Sequence, residues 1–133
     1  FVIGMFVRAA ARGRGVGSAL LDQAIAEAGE RGCARLALDV HAGNTAARAR
    51  LGLPQRLGSC HTALVGGYVV EGHVPASDVK RLLKERPKAL GLAVPGMPVG
   101  SPGMDGPEYG GRKDRYDVLL VQADGSSRTF SRY

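Results

Sequence analysis

The central stretch of the chain reads Cys60-His61-Thr62-Ala63-Leu64-Val65-Gly66-Gly67-Tyr68-Val69-Val70-Glu71-Gly72-His73-Val74-Pro75. Residues 63–65 and 68–71 are short apolar runs on either side of Gly66-Gly67. Two glycines can adopt the positive φ angles that a tight hairpin turn requires, so the stretch predicts a β-hairpin. It also holds one of the two cysteines and two of the three histidines, which makes it the candidate chemical centre.

Cys60 and His61 form a candidate metal pair at one end of this hairpin. A thiolate suits Cu(I), and an imidazole binds copper or zinc. Met97 and Met104 add two thioethers in a Pro- and Gly-rich segment, where no core position is evident for them. His73 is expected at the far end of the hairpin, packed at the start of a helix. A lone Cys or His is more often structural than a ligand, so a purely structural role stays open.

The residues before the hairpin predict a βαβα unit. A glycine-rich loop follows the first strand, and such a unit buries its strands in parallel with a right-handed crossover. The predicted elements are a strand at 2–7, a helix at 16–31, a strand at 34–40, and a helix at 45–51 that Asn44 caps.

The residues after the hairpin predict a helix, a long loop and a second hairpin. The helix covers 76–86, with Val79, Leu82 and Leu83 on its inner face. Residues 87–115 hold five of the seven prolines and are expected to be structureless. Strands at 116–122 and 128–132 flank Asp124-Gly125. The fold class is therefore α/β, with a mixed sheet.

Length and composition restrict the class of protein. At 133 residues, with 44% hydrophobic and 23% charged residues, the chain suits one globular domain. No apolar run approaches the roughly 18 residues of a membrane span. The sequence has no stripe of basic and aromatic residues that would indicate a nucleic acid partner. The net charge of +6 fits either a polyanionic cofactor or solubility alone. The chain shows no signal peptide and begins with Phe1 rather than Met, which favours a fragment.

The glycine-rich basic loop has the composition of an anion site. Glycines let the backbone close around phosphate oxygens, and the helix that follows offers free N–H groups. The loop resembles the pyrophosphate loop of the GNAT acetyltransferases, whose pattern is Gln/Arg-x-x-Gly-x-Gly/Ala. The resemblance covers about residues 1–50 and implies acetyl-CoA as a cofactor. The implied binding residues are Arg12, Gly13, Arg14, Gly15, Val16, Gly17, Ser18 and Asn44.

The chain departs from the GNAT pattern in two ways. The opening elements that bind the acceptor amine in that family are absent. Where the family commonly has a Tyr that protonates the leaving thiolate, this chain has Leu51. Acyl transfer needs a positioned acid and base, and no catalytic residue can be assigned. Enzyme activity therefore stays open, and the alternatives are a remnant that binds coenzyme A or a unit kept only for packing.

The second part of the chain, about residues 49–133, resembles a family of small bacterial metal-binding proteins called CopG-like. The resemblance implies a thioredoxin-like fold and a role in copper handling or resistance. It also implies Cys60, His61, Met97 and Met104 as metal ligands, with His73 a weaker one. The matching segments are Arg50-Leu51-Gly52-Leu53-Pro54, Ser59-Cys60-His61-Thr62-Ala63, Gly72-His73-Val74-Pro75, and residues 91–104.

The CopG-like family opens with a strand that ends in Cys-x-Cys-Cys, its main copper motif. The equivalent segment here carries residues 12–17 and no cysteine, so we expect a degenerate site of reduced affinity. The two resemblances predict a chimera of segments 1–50 and 49–133, packed as one domain. A reading-frame artefact would give the same sequence, and an α/β fragment without either activity is the plain alternative. The CopG-like resemblance implies the periplasm, and the GNAT resemblance the cytoplasm.

Overall fold

The computed structural model describes residues 16–31, 35–38 and 45–133. The first predicted strand, at 2–7, lies outside these residues. Two single turns of 3₁₀ helix, at Gln55–Leu57 and Pro107–Tyr109, supplement the regular elements. These elements are α1 (Val16–Glu30), β1 (Arg35–Leu38), α2 (Thr45–Arg50), β2 (Thr62–Val65), β3 (Tyr68–Glu71), α3 (Ala76–Glu85), β4 (Gly91–Ala93), β5 (Asp117–Val121) and β6 (Ser127–Arg132).

One mixed sheet of six strands organises the described residues. Its strand order is β1-β2-β3-β4-β5-β6, and every neighbouring pair is antiparallel except β3 and β4. Both predicted hairpins are confirmed. In the central one, Gly66 and Gly67 have φ angles of 57° and 86°, the positive values that the turn needs. The α/β class with a mixed sheet is therefore confirmed.

Strand β4 lies where the sequence predicted a structureless segment, so that prediction is wrong. Leu92 and Ala93 are fully buried, and the strand pairs in parallel with β3 on one side. Helix α3 is the crossover that joins these two parallel strands. The strand was missed because it has only three residues, starts with glycine and lies between Pro87 and Pro95.

The core lies on both faces of the sheet. One cluster joins the segment after α2 to the sheet, through Leu53, Leu57, Val69, Ala93 and Val121. The other lies under α3 and contains Leu82, Leu92, Val94, Val118 and Leu120. Neighbouring residues of β4 and β5 alternate between the two clusters, as side chains of a strand must. The central strands are thus packed on both faces, and they give the open end of the β2–β3 hairpin a rigid base.

Among the described residues, no helix is long and apolar enough to cross a membrane.

Candidate metal centre

The β2–β3 hairpin brings Cys60 and His73 together at its open end. Thr62 pairs with Glu71, and the N–H of Gly72 donates to the His61 carbonyl at 2.7 Å. One further step in this register sets Cys60 opposite His73. The Cys60 Sγ lies 2.8 Å from His73 Nε2. The expectation that His73 lies at the far end of the hairpin is therefore wrong.

His61 completes a group of three potential ligands. Its Nε2 lies 3.6 Å from Cys60 Sγ, and the three ligand atoms are all within 4.8 Å of one another. The rings of His61 and His73 stack with centroids 4.9 Å apart and planes 15° apart. The lone pair of an imidazole nitrogen lies in the ring plane, so an ion in the plane of one ring lies outside the plane of the other. Only one of the two imidazoles can therefore coordinate an ion beside Cys60 unless a ring rotates.

The distances within this group fit a metal ion after a small displacement. With metal–sulfur and metal–nitrogen bonds of about 2.3 and 2.0 Å, a tetrahedral angle separates the two ligand atoms by roughly 3.5 Å. The separation of Cys60 Sγ from His61 Nε2 already has this value. The separation from His73 Nε2 is a hydrogen-bond distance and must lengthen by about 0.7 Å. The thiol and imidazole donors suit Cu(I), so the residues present fit this ion.

The surroundings of His73 favour its neutral form. Partial burial and the charge of the neighbouring His61 lower the pKa of His73 below its ordinary 6.5. A hydrogen bond that His73 donates to the Pro102 carbonyl raises this pKa, but by less. The Ser101 hydroxyl lies 3.4 Å from its Nδ1. A neutral imidazole keeps a lone pair on one nitrogen, which a metal ligand requires.

We expect the pKa of His73 to rise when His61 is replaced. His61→Ala removes both the charge and the ring that covers His73, whereas His61→Phe removes the charge alone. NMR titration of the imidazole signals in the metal-free protein should give a larger rise in the first variant than in the second. An unchanged pKa in both variants would contradict the stacked geometry.

A buried ion pair supports the loop that carries the thiol. Arg48 Nε donates to Glu71 Oε1 at 2.9 Å, and the two side chains are 3% and 0% exposed. The Ser59 N–H donates to the same oxygen at 2.5 Å, and the Thr62 hydroxyl donates to the other carboxylate oxygen. Arg48 also donates to the Ser59 carbonyl. The residues on both sides of Cys60-His61 are therefore fixed to one carboxylate.

Two families match different segments of the chain. The family described as "Protein of unknown function, DUF411" matches residues 57–104, and the acetyltransferase (GNAT) family matches residues 1–52. No curated protein matches the chain. Two solved structures of copper resistance protein CopG, form 1 and form 2, are each 47% identical to the chain and cover 71% of it. The chain covers 72% and 73% of those structures, with TM-scores of 0.62 and 0.61.

This chain belongs to the CopG family. The DUF411 match includes every residue that the sequence proposed as a metal ligand, and His73 as well. The GNAT match ends at residue 52, so it includes Arg48, whose partner Glu71 lies in the CopG-like part. Strand β1, also within the GNAT match, pairs with β2. The two matched segments are therefore in direct contact.

Met97, in the loop after β4, lines the same pocket as Cys60. A pocket of about 310 Å³ is lined by both Cys60 and Met97, and Met97 is 55% exposed. Met104 has different surroundings, because its thioether accepts a hydrogen bond from the Tyr109 hydroxyl at 3.3 Å. Its N–H donates to the Ser101 carbonyl, so it belongs to the turn behind His73. Met97 and Met104 as ligands stay predictions.

The residues proposed for acetyl-CoA are mostly outside the described part of the chain. This applies to Arg12, Gly13, Arg14, Gly15 and Asn44. Val16, Gly17 and Ser18 are the first residues of α1, as the predicted loop-to-helix order requires. Their role in binding coenzyme A stays a prediction.

Proposed function

We propose that this CopG-family chain handles copper by binding one Cu(I) ion through Cys60 and one imidazole. His73 is the first candidate for that imidazole, because the hairpin register sets it opposite Cys60 and its surroundings favour the neutral form. The grouping of Cys60 Sγ with two imidazole nitrogens within 4.8 Å carries the proposal, in a chain 47% identical to a copper resistance protein. We further propose that the mixed sheet is a variant of the thioredoxin-like arrangement. The ion is the protein's cargo, and the protein's part is to hold two donors at a fixed separation.

The proposed site is degenerate relative to the pattern expected for the family. Cys33 and Cys60 are the two cysteines of the chain, and no Cys-x-Cys-Cys sequence is present. A single thiolate bridges fewer ions than a cluster of thiolates does. We therefore expect one copper ion per chain, bound less tightly than in a site with several cysteines. On this proposal the chain functions in the periplasm, as the family resemblance implies.

The test is a titration with Cu(I) against a competing chelator. It uses a Cys33→Ser background, so that the thiol of Cys60 alone is counted. We expect one ion per chain and a loss of affinity of at least about 100-fold in Cys60→Ser, more than a supporting residue contributes. Ser126→Ala, in an exposed turn, is the control and should bind as the parent does. Equal affinity in Cys60→Ser would refute the site.

A second function is favoured by the GNAT match to residues 1–52. We propose that the loop at residues 12–18 binds the pyrophosphate of coenzyme A or acetyl-CoA. Calorimetry with acetyl-CoA should then show binding that Arg12→Ala weakens, because the guanidinium adds charge to the anion site. ATP is the control ligand for general affinity to phosphates. Absence of heat and of a thermal shift with acetyl-CoA would remove this second function.

A further inference from the structure

The thiol and imidazole donors grouped in the described residues leave room for a further ligand on a bound copper ion. While the rings of His61 and His73 stay stacked, one in-plane nitrogen lies beside Cys60 Sγ, so this arrangement supplies one sulfur and one nitrogen. Cu(I) accepts further soft ligands, and thiolate and thioether sulfur are soft donors that suit it. Besides Cys60, the described residues hold two sulfur atoms, and that of Met104 accepts a hydrogen bond from Tyr109. Within the described part of the chain, Met97 is therefore the alternative to a sulfur ligand from another molecule.

A pocket adjoins the thiol. Its volume of about 310 Å³ is roughly ten times the share of one water molecule in the liquid, so it has room for a small organic molecule. A Cβ on Gly96, which also lines the pocket, would meet nothing within 4 Å, so the space beside this residue is open. Cys60 forms part of its wall, so a ligand inside lies beside the proposed copper ligand.

The polar groups of the pocket favour a ligand without large net charge. Arg48 is in the wall, but Glu71 balances its charge at 2.9 Å. Thr45 and Gln55 line the pocket with exposed side chains that can donate and accept hydrogen bonds. The lining as a whole is mostly apolar, so a small molecule without net charge, with a few polar groups, suits it better than a polyanion does.

We propose that a small thiol binds in this pocket and supplies a second sulfur ligand to copper held by Cys60. The inference rests on the proposed copper function. The thiol loses its proton to solvent, and its sulfur donates an electron pair to Cu(I). The copper keeps its oxidation state, and no bond of the protein breaks. Copper is then carried as a ternary complex of protein, metal and thiol.

The test uses L-cysteine as the thiol and the Cys33→Ser protein loaded with one Cu(I). X-ray absorption should find one sulfur neighbour of copper without L-cysteine and two with it. Native mass spectrometry should show one protein, one copper and one cysteine. Met97→Leu should retain the second sulfur. Gln55→Trp, which adds a large ring to the pocket lining, should lose it while keeping the copper.

Three results would overturn the inference. Two sulfur neighbours without L-cysteine, reduced to one in Met97→Leu, would assign the second sulfur to Met97. A second sulfur that persists in Gln55→Trp would mean that the thiol reaches copper from solvent and does not use the pocket. One sulfur under all conditions would mean that no thiol binds. In all three cases copper is bound, so these results differ from a failure of the proposed function, in which no copper is retained.

Discussion

Glu71→Leu should lower the free energy of unfolding by about 3–5 kcal/mol, the usual cost of removing one partner of a buried ion pair. The side chain of Glu71 is 0% exposed and accepts hydrogen bonds from Arg48, Ser59 and Thr62. Leucine is similar in size but accepts none of them. The variant leaves a buried guanidinium without this carboxylate and a buried N–H and hydroxyl without their acceptor. Urea denaturation followed by circular dichroism measures the change.

Two further variants separate the buried charge from its surroundings. In Arg48→Met with Glu71→Leu the guanidinium is removed together with the carboxylate, so part of the loss should be recovered, although Ser59 and Thr62 still lack their acceptor. Glu85→Leu removes the carboxylate of a pair with Arg81 whose side chains are about half exposed, and it should cost less than about 0.5 kcal/mol. Equal losses of unfolding free energy in Glu71→Leu and Glu85→Leu would show that the buried pair stabilises the protein no more than an exposed pair does.

The same variant should also weaken copper binding in the molecules that stay folded. Glu71 fixes Ser59 and Thr62, which lie on either side of Cys60-His61. Without it, the thiol loses its fixed position opposite His73. A supporting residue of this kind contributes about 10- to 100-fold in metal affinity, and the chelator competition used for Cys60→Ser would measure it.

Local signals in the sequence were sufficient for the hairpin. The Gly66-Gly67 pair predicted the turn, and the turn also determines where His73 lies relative to Cys60. Cys60 and His73 are equally distant from the centre of that turn, so a two-residue turn sets them opposite each other at the open end. The expectation that His73 lies at the far end of the hairpin from Cys60 does not take this symmetry into account. The information was present, because register in a tight hairpin is fixed by the turn.

The buried pair and strand β4 could not be predicted in the same way. Arg48 and Glu71 are 23 residues apart, and each alone reads as an ordinary charged residue at the end of an element. Their contact depends on how α2 packs beside the sheet. Strand β4 has three residues, too few for a periodicity to appear. Its place in the sheet comes from pairing with β3 and β5 on its two sides.

Gly91→Ala should be the most damaging glycine substitution in the sheet, with an expected loss of about 3 kcal/mol or more. A Cβ on Gly91 would lie 1.7 Å from the Val69 carbonyl oxygen, and its nearest neighbours are all backbone atoms of β3. Backbone cannot rotate away as a side chain can, so β3 and β4 must separate. Gly111→Ala is the matched control, because its φ is also positive, at 73°, but its Cβ would meet nothing within 4 Å. It should cost only about 1–2 kcal/mol, the strain of alanine at positive φ.

Gly91→Ala should also reduce copper affinity, by about tenfold, because β4 leads directly into the wall of the site. The Val94 N–H donates to the Glu71 carbonyl at 2.9 Å, and the Gly96 carbonyl accepts a hydrogen bond from the Ser59 hydroxyl. Separation of β3 and β4 breaks this connection and moves Met97 and Gly96 away from Cys60. Chelator competition at a temperature where both variants are folded should show the loss in Gly91→Ala and not in Gly111→Ala. If copper affinity is unchanged while stability falls, the Cys60–His73 pair holds the ion independently of the β4 loop, and the pocket beside it is not part of the copper site.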